Sequence, residues 1–218
     1  MSGDSNEIAP INFDDDILPR ILDARKKRKG YASFFDWPNK ATKEKGIVCD
    51  LLEAIVAQGE QHDIIEVKSN PDDPPDCVGV MKNGELVGFE ATELVDQDTV
   101  DKNQQGGQVW KNWTPNELLA KLKEIVRNKD SKIYHGGPYS NIILVIHTDE
   151  PLLHYSSCNN LLREQNFGAC RRISEVYLLY SVDPALNFCP FLSLKITKLG
   201  AGFCVETRGW RVVLVLVY

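Results

Sequence analysis

At 218 residues, 43% hydrophobic and 26% charged, the chain suits one ordinary α/β domain with a sizeable core and room for one main site. A net charge of −6 argues against a protein that coats nucleic acid, without excluding an enzyme that acts on one. No run reaches the roughly 18 apolar residues that span a bilayer, and Met1 to Asp16 lacks the apolar stretch of a signal peptide, so a cytoplasmic protein is expected.

In chain order, residues 1–16 are expected to be disordered. A helix over 17–30 ends in Arg25-Lys26-Lys27-Arg28-Lys29, and a loop through Trp37-Pro38 carries the chain to residue 40. That cluster offers contacts to a phosphate backbone, although basic residues at a helix C-terminus also suit its dipole. The main domain is expected over 41–200. Thr42 is placed to cap a helix with an apolar stripe of Ile47, Val48, Leu51, Leu52, Ile55 and Val56, ended by Gly59. Glu53 stands at the margin of that stripe, either turned towards a site or serving as a rim carboxylate. Asp63-Ile64-Ile65-Glu66-Val67 predicts a first strand.

The most informative segment follows. Pro75-Asp76 opens a second strand, Lys82-Asn83-Gly84 turns the chain, and Phe89-Glu90-Ala91-Thr92 lies in a third. Loop length decides which residues face each other. A two-residue Asn83-Gly84 loop would leave Asp76 and Glu90 on opposite faces. A three-residue loop closed by Gly84 in the left-handed conformation pairs Met81 with Glu85 and sets Asp76 opposite Glu90, and this is the register expected. Acids directly opposite repel, and at a Cβ separation of roughly 5 Å they are spaced for a divalent ion with oxygen ligands at about 2.1 Å. Thr92 shares the face of Glu90; Phe89 and Ala91 turn to a core on the other side, as does Glu93. An Asp after two prolines is also a common turn residue, but the apolar character of Leu86 to Leu94 makes an unpaired buried Glu costly.

Asp96 to Gly107 is a polar loop in this reading, and the indoles of Trp110 and Trp113 go to the core. Thr114-Pro115 starts a helix with Leu118, Leu119, Leu122, Ile125 and Val126 buried. Lys121 and Lys123 flank its stripe, Lys121 within reach of Glu117. Asn141 to Ile146 is the next strand. A helix from Pro151 to about Gln165, strands at 176–181 and 191–197, and an apolar tail over 201–218 complete the chain. The six cysteines show no ligand spacing for zinc and are read as free thiols.

The order helix, three strands, helix, strand (αβββαβ), with Pro75-Asp76 and Glu90-Ala91-Thr92 fourteen positions apart, resembles the PD-(D/E)XK nuclease superfamily over residues 42–147. The resemblance implies a restriction-endonuclease-like core, with a mixed central sheet flanked by helices. It also implies Mg2+ or Mn2+ held by Asp76 and Glu90, with Glu53 assisting, and hydrolysis of nucleic acid, DNA in the first instance. The family places a lysine where this chain has Thr92, which supplies no positive charge; Lys121 on the following helix is the replacement considered. The alternatives are an inactive relative that keeps the fold as a binding module for nucleic acid or protein, and an unrelated α/β protein with incidental acids.

Overall fold

The computed structural model describes residues 39–105, 109–183, 186 and 188–199. The expectations for the first 38 residues, including the basic cluster, for Cys204 and for the 201–218 tail lie outside the described residues.

Helix α1 (Lys40–Ala57) is capped three residues before the expected Thr42, because the Asn39 side chain accepts the Thr42 N–H at 2.7 Å. It buries Ile47, Val48, Leu51, Leu52 and Ile55, while Val56 turns outward. Strands β1 (Ile64–Ser69), β2 (Cys77–Met81) and β3 (Leu86–Glu93) form an antiparallel meander. The β2–β3 turn has the three-residue form. The Met81 N–H bonds to the Glu85 carbonyl at 2.9 Å, and Gly84 has φ +84°, a conformation glycine adopts without the steric penalty of a Cβ. Pairs run from Val80 with Leu86 to Cys77 with Phe89, and this register leads on to Asp76 and Glu90 just past the last pair.

Helix α2 (Gln97–Gln104) occupies most of the segment expected to be a loop. Its polar sequence conceals it: Asp96 caps Thr99, and only Thr99 and Val100 are buried. Helix α3 (Pro115–Asp130) starts at the expected place. The Thr114 side chain accepts from the Glu117 N–H, and Glu117 returns to the Thr114 N–H. Beyond it come β4 (Asn141–Thr148), α4 (Tyr155–Leu162), β5 (Asn166–Cys170), β6 (Glu175–Tyr180), β7 (Phe191–Ser193) and β8 (Lys195–Lys198). The run 191–197 is two strands because Leu194 drops into the core between them. β7 joins the main sheet and β8 pairs with β5 in a small second sheet.

The protein is thus an α/β fold with a mixed six-stranded sheet, ordered β1-β2-β3-β4-β6-β7, and four helices among the described residues. β3, β4 and β6 run parallel to one another. One face packs Phe89, Ala91, Ile143 and Val145 against α1; the other packs Ile142, Leu144 and Ile146 against α3 and α4. The five described cysteines are buried, and none is in a disulfide among the described residues. Trp113 packs on the second core with the Lys111 ammonium 5.3 Å above its ring, whereas Trp110 is half exposed rather than buried. No described helix is long and apolar enough to cross a membrane.

Candidate metal centre

The hairpin strands separate where the acids lie. β2 begins at Cys77, but β3 continues to Glu93 against β4, so the edge of β3 past Phe89 has no β2 backbone beside it. A side chain takes over: Asp76 Oδ2 accepts the Ala91 N–H at 2.7 Å, which satisfies a buried donor that would otherwise be left without a ladder partner. The approach to Asp76 is tied down as well. Asn70 Nδ2 donates to the Pro75 carbonyl at 2.9 Å, and the His135 N–H to that of Pro74 at 2.8 Å. Gly88 lets Pro75 lie against β3, because a Cβ there would sit 3.0 Å from Pro75 Cγ and 2.6 Å from Ile142 Cδ1.

Glu90 is fully buried and Asp76 is 4% exposed; with the exposed Asp73 they bring carboxylate oxygens within 4.8 Å of one another. Two ammoniums close on Glu90 from the end of α3 and just beyond. Lys129 Nζ and Lys132 Nζ each stand 2.6 Å from Oε1, and Lys129 also reaches the Ala91 carbonyl at 3.4 Å. Glu90 Oε2 is buried with no hydrogen-bond partner among the described residues. On the α1 side, Lys40 Nζ lies 2.5 Å from Asp73 Oδ2, 3.5 Å from Glu44 Oε1 and 3.6 Å from Asp76 Oδ1.

These surroundings set the protonation states. Burial, then the neighbouring Asp76, raises the Glu44 carboxyl to about 7, against the opposing pull of Lys40. Burial and the Glu90 charge likewise raise Asp76, although the Ala91 N–H, Lys129 and Lys40 work the other way. The Lys40 hydrogen bond holds Asp73 below its ordinary value. Burial alone would lower Lys132, but its bond to Glu90 and the Glu90 charge outweigh that and raise it. Four carboxyl groups therefore meet three ammoniums, and the raised Glu44 and Asp76 show how the excess of acids is accommodated.

Of the residues singled out in the sequence, the structure brings Asp76 and Glu90 together. Thr92 lies half-buried two positions along β3 and makes none of the hydrogen bonds to either acid. Lys121 is not at the site. It pairs with Glu124 at 3.3 Å on the surface, two turns or about 12 Å up α3 from Lys129, while Glu117 pairs with Lys111 instead. Glu53 is exposed, nine residues or about 13 Å along α1 from Glu44, which is the acid of that helix beside Asp76. Sequence reading passed over Glu44, Lys40 and Asp73, and it saw Lys129 and Lys132 only among the basic residues, with Lys121, Lys123 and Arg127, that decorate the helix beside the site. Lys129 did carry a signal, because it continues the stripe Leu118, Leu122, Ile125 at helical spacing and so occupies a core position. Glu44 does the same ahead of Ile47 and Val48.

No protein family, curated protein or solved structure matches the chain. Function therefore rests on this geometry. The donors are hard carboxylate oxygens, the class that Mg2+ and Mn2+ prefer. A buried carboxylate oxygen without a donor lacks the partner that burial normally demands. The residues fit a divalent cation.

Proposed function

We propose that this chain is a metal-dependent phosphodiesterase acting on nucleic acid, built on a restriction-endonuclease-like core. The order α1, β1, β2, β3, α3, β4 and the approach of the Asp76 and Glu90 carboxylates to within 4.8 Å support the resemblance noted in the sequence. The observation that carries the reading is Glu90: fully buried, one oxygen shared by two ammoniums and the other without a partner.

Asp76, Glu90 and Asp73 would hold a magnesium or manganese ion, which when bound supplies Lewis-acid activation of a phosphate or water oxygen. The protein's own groups have distinct tasks. Lys129 and Lys132 supply, from α3 and the residues after it, the positive charge that Thr92 cannot. Fixed ammoniums in a site of low dielectric offset charge that builds on phosphate oxygens as the bond breaks. Lys40, exposed beside Asp73, meets the incoming phosphodiester. Glu44, with its pKa at about 7, is poised to accept a proton from an attacking water near neutral pH.

The test is cleavage of single- and double-stranded DNA and RNA by the full chain with Mg2+ or Mn2+, beside Asp76→Ala and Glu90→Ala. Metal-dependent cleavage lost in both variants supports the reading. A second reading rests on one observation: Lys129 and Lys132 already neutralise Glu90 Oε1, as in a metal-free ion network. A folded chain that binds nucleic acid or protein, cleaves nothing and ignores divalent ions would favour this binding module.

A further inference from the structure

α3 ends on an acid, Asp130, although the negative end of the helix dipole disfavours one there. Its hydrogen bonds explain the placement. Oδ1 accepts the backbone N–H groups of Arg171 at 3.1 Å, Arg172 at 2.8 Å and Ile173 at 2.9 Å, and Oδ2 also faces the Arg171 N–H at 3.1 Å. Arg172 Nη1 returns a bond to the Asp130 carbonyl at 3.2 Å. The Tyr134 hydroxyl donates to the Lys129 carbonyl at 2.9 Å, which also accepts the Lys132 N–H at 3.2 Å, so this helix end is held from several sides. The turn held by Asp130 is itself anchored, since Ile173 is buried in the core and β6 starts two residues later in the main sheet.

We propose that Asp130 is a positioning residue for the cations of Glu90. Lys129 precedes it and Lys132 follows two residues later. The carboxylate staples the last turn of α3 to the 171–173 turn, and so fixes where both ammoniums project. A long lysine side chain on a fraying helix end would sample many rotamers, whereas here two of them converge on one oxygen. Charge-assisted bonds to three backbone N–H groups are strong enough to hold that turn. This inference concerns the ion network itself; it rests on the phosphodiesterase reading only where cleavage is measured.

The test compares wild type, Asp130→Ala and Asp130→Asn as full chains under native conditions. Lysines are acetylated with an amine-reactive ester and quantified one by one by peptide mass spectrometry. In Asp130→Ala, Lys129 and Lys132 should react about tenfold faster than in wild type. Lys195, paired with Glu164 elsewhere, should be unchanged, as should amide exchange at Leu122 in mid-α3. Asp130→Asn keeps Oδ1 but loses the charge, and should fall between; it decides the matter if the alanine variant does not fold. Folded variants whose Lys129 and Lys132 react at the wild-type rate would overturn the proposal, and so would a rise at all lysines alike. If the wild type cleaves nucleic acid, Asp130→Ala should lower kcat with KM nearly unchanged. A wild type that cleaves nothing removes the enzymatic reading and leaves the labelling result standing.

Discussion

Removing both ammoniums from Glu90 tests the electrostatics of the site most directly. Lys129→Met and Lys132→Met keep an unbranched apolar stem while deleting the charge. In either single variant Glu90 Oε1 retains one partner at 2.6 Å, so each should cost only about 1 kcal/mol; Lys132, 37% exposed, should cost less than Lys129 at 19% because solvent screens it more. The double variant is different in kind. It leaves a fully buried carboxylate with neither ammonium, a situation that costs about 3–5 kcal/mol, so the pair should be non-additive by about 1–3 kcal/mol. Urea denaturation of all four proteins near neutral pH gives this cycle, and the double variant should melt roughly 10–15 °C lower. Magnesium or manganese should then stabilise the double variant more than the wild type, by about 2.7 kcal/mol at a concentration of 100 Kd. A double variant whose loss equals the sum of the singles, stays below about 2 kcal/mol and ignores divalent ions would refute the view that Glu90 is a buried charge requiring a cation.

Stability should also depend on pH through Glu44. Its folded pKa of about 7 lies above its ordinary 4.5, so the folded protein holds a proton that the unfolded chain releases between those values. The contribution is complete below about pH 4.5 and lost as the pH rises through about 7. In metal-free protein the unfolding free energy of wild type should fall relative to Glu44→Gln across that window, by less than the full shift would give because solvent and Lys40 screen the carboxyl; a relative rise would contradict the assigned environment. Asp76 shifts in the same direction and adds to the fall in both proteins. If the chain is a phosphodiesterase, Lys129→Ala should lower kcat about 100- to 1,000-fold, whereas Lys121→Ala and Glu53→Gln should leave it near wild type, as steady-state cleavage assays can show. Gly88→Ala should destabilise by about 1–3 kcal/mol, because its Cβ would press on Ile142 and on the Pro75 that leads into Asp76; an unchanged denaturation midpoint would show that this packing is looser than described.

The hairpin was legible because its register is a local property. Gly84 closes a three-residue loop, the loop fixes Met81 against Glu85, and the pleat carries that pairing to Asp76 and Glu90 with no tertiary information. The start of α3 was legible for a similar reason, since Thr114, Pro115 and Glu117 make a cap among themselves. Elements that depend on distant partners were not. α2 carries almost no apolar face, and the β5–β8 sheet pairs two short segments about 25 residues apart, with Leu194 diverting the chain from one sheet to the other.

The site was half legible, and the missing half has one physical cause. Sequence periodicity is scored by counting apolar residues, so a lysine in the buried register looks like the end of the stripe, and attention moves to lysines at its border such as Lys121. Border lysines are conspicuous because they are solvated, and for that reason they have no need of a buried acid. A Glu with an apolar strand on either side poses the opposite question. Its charge has to be met inside the protein, so its partner is to be sought among cations that helical spacing places in the core. On α3 that rule passes over Lys121 and Lys123 and selects Lys129, four residues after Ile125 and aimed at the face of the sheet from which Glu90 projects. The same rule applied to α1 selects Glu44, four residues before Val48, over Glu53. The two helices thus contribute to the site through charged residues in apolar registers, at the turn of each helix nearest the splayed end of the hairpin.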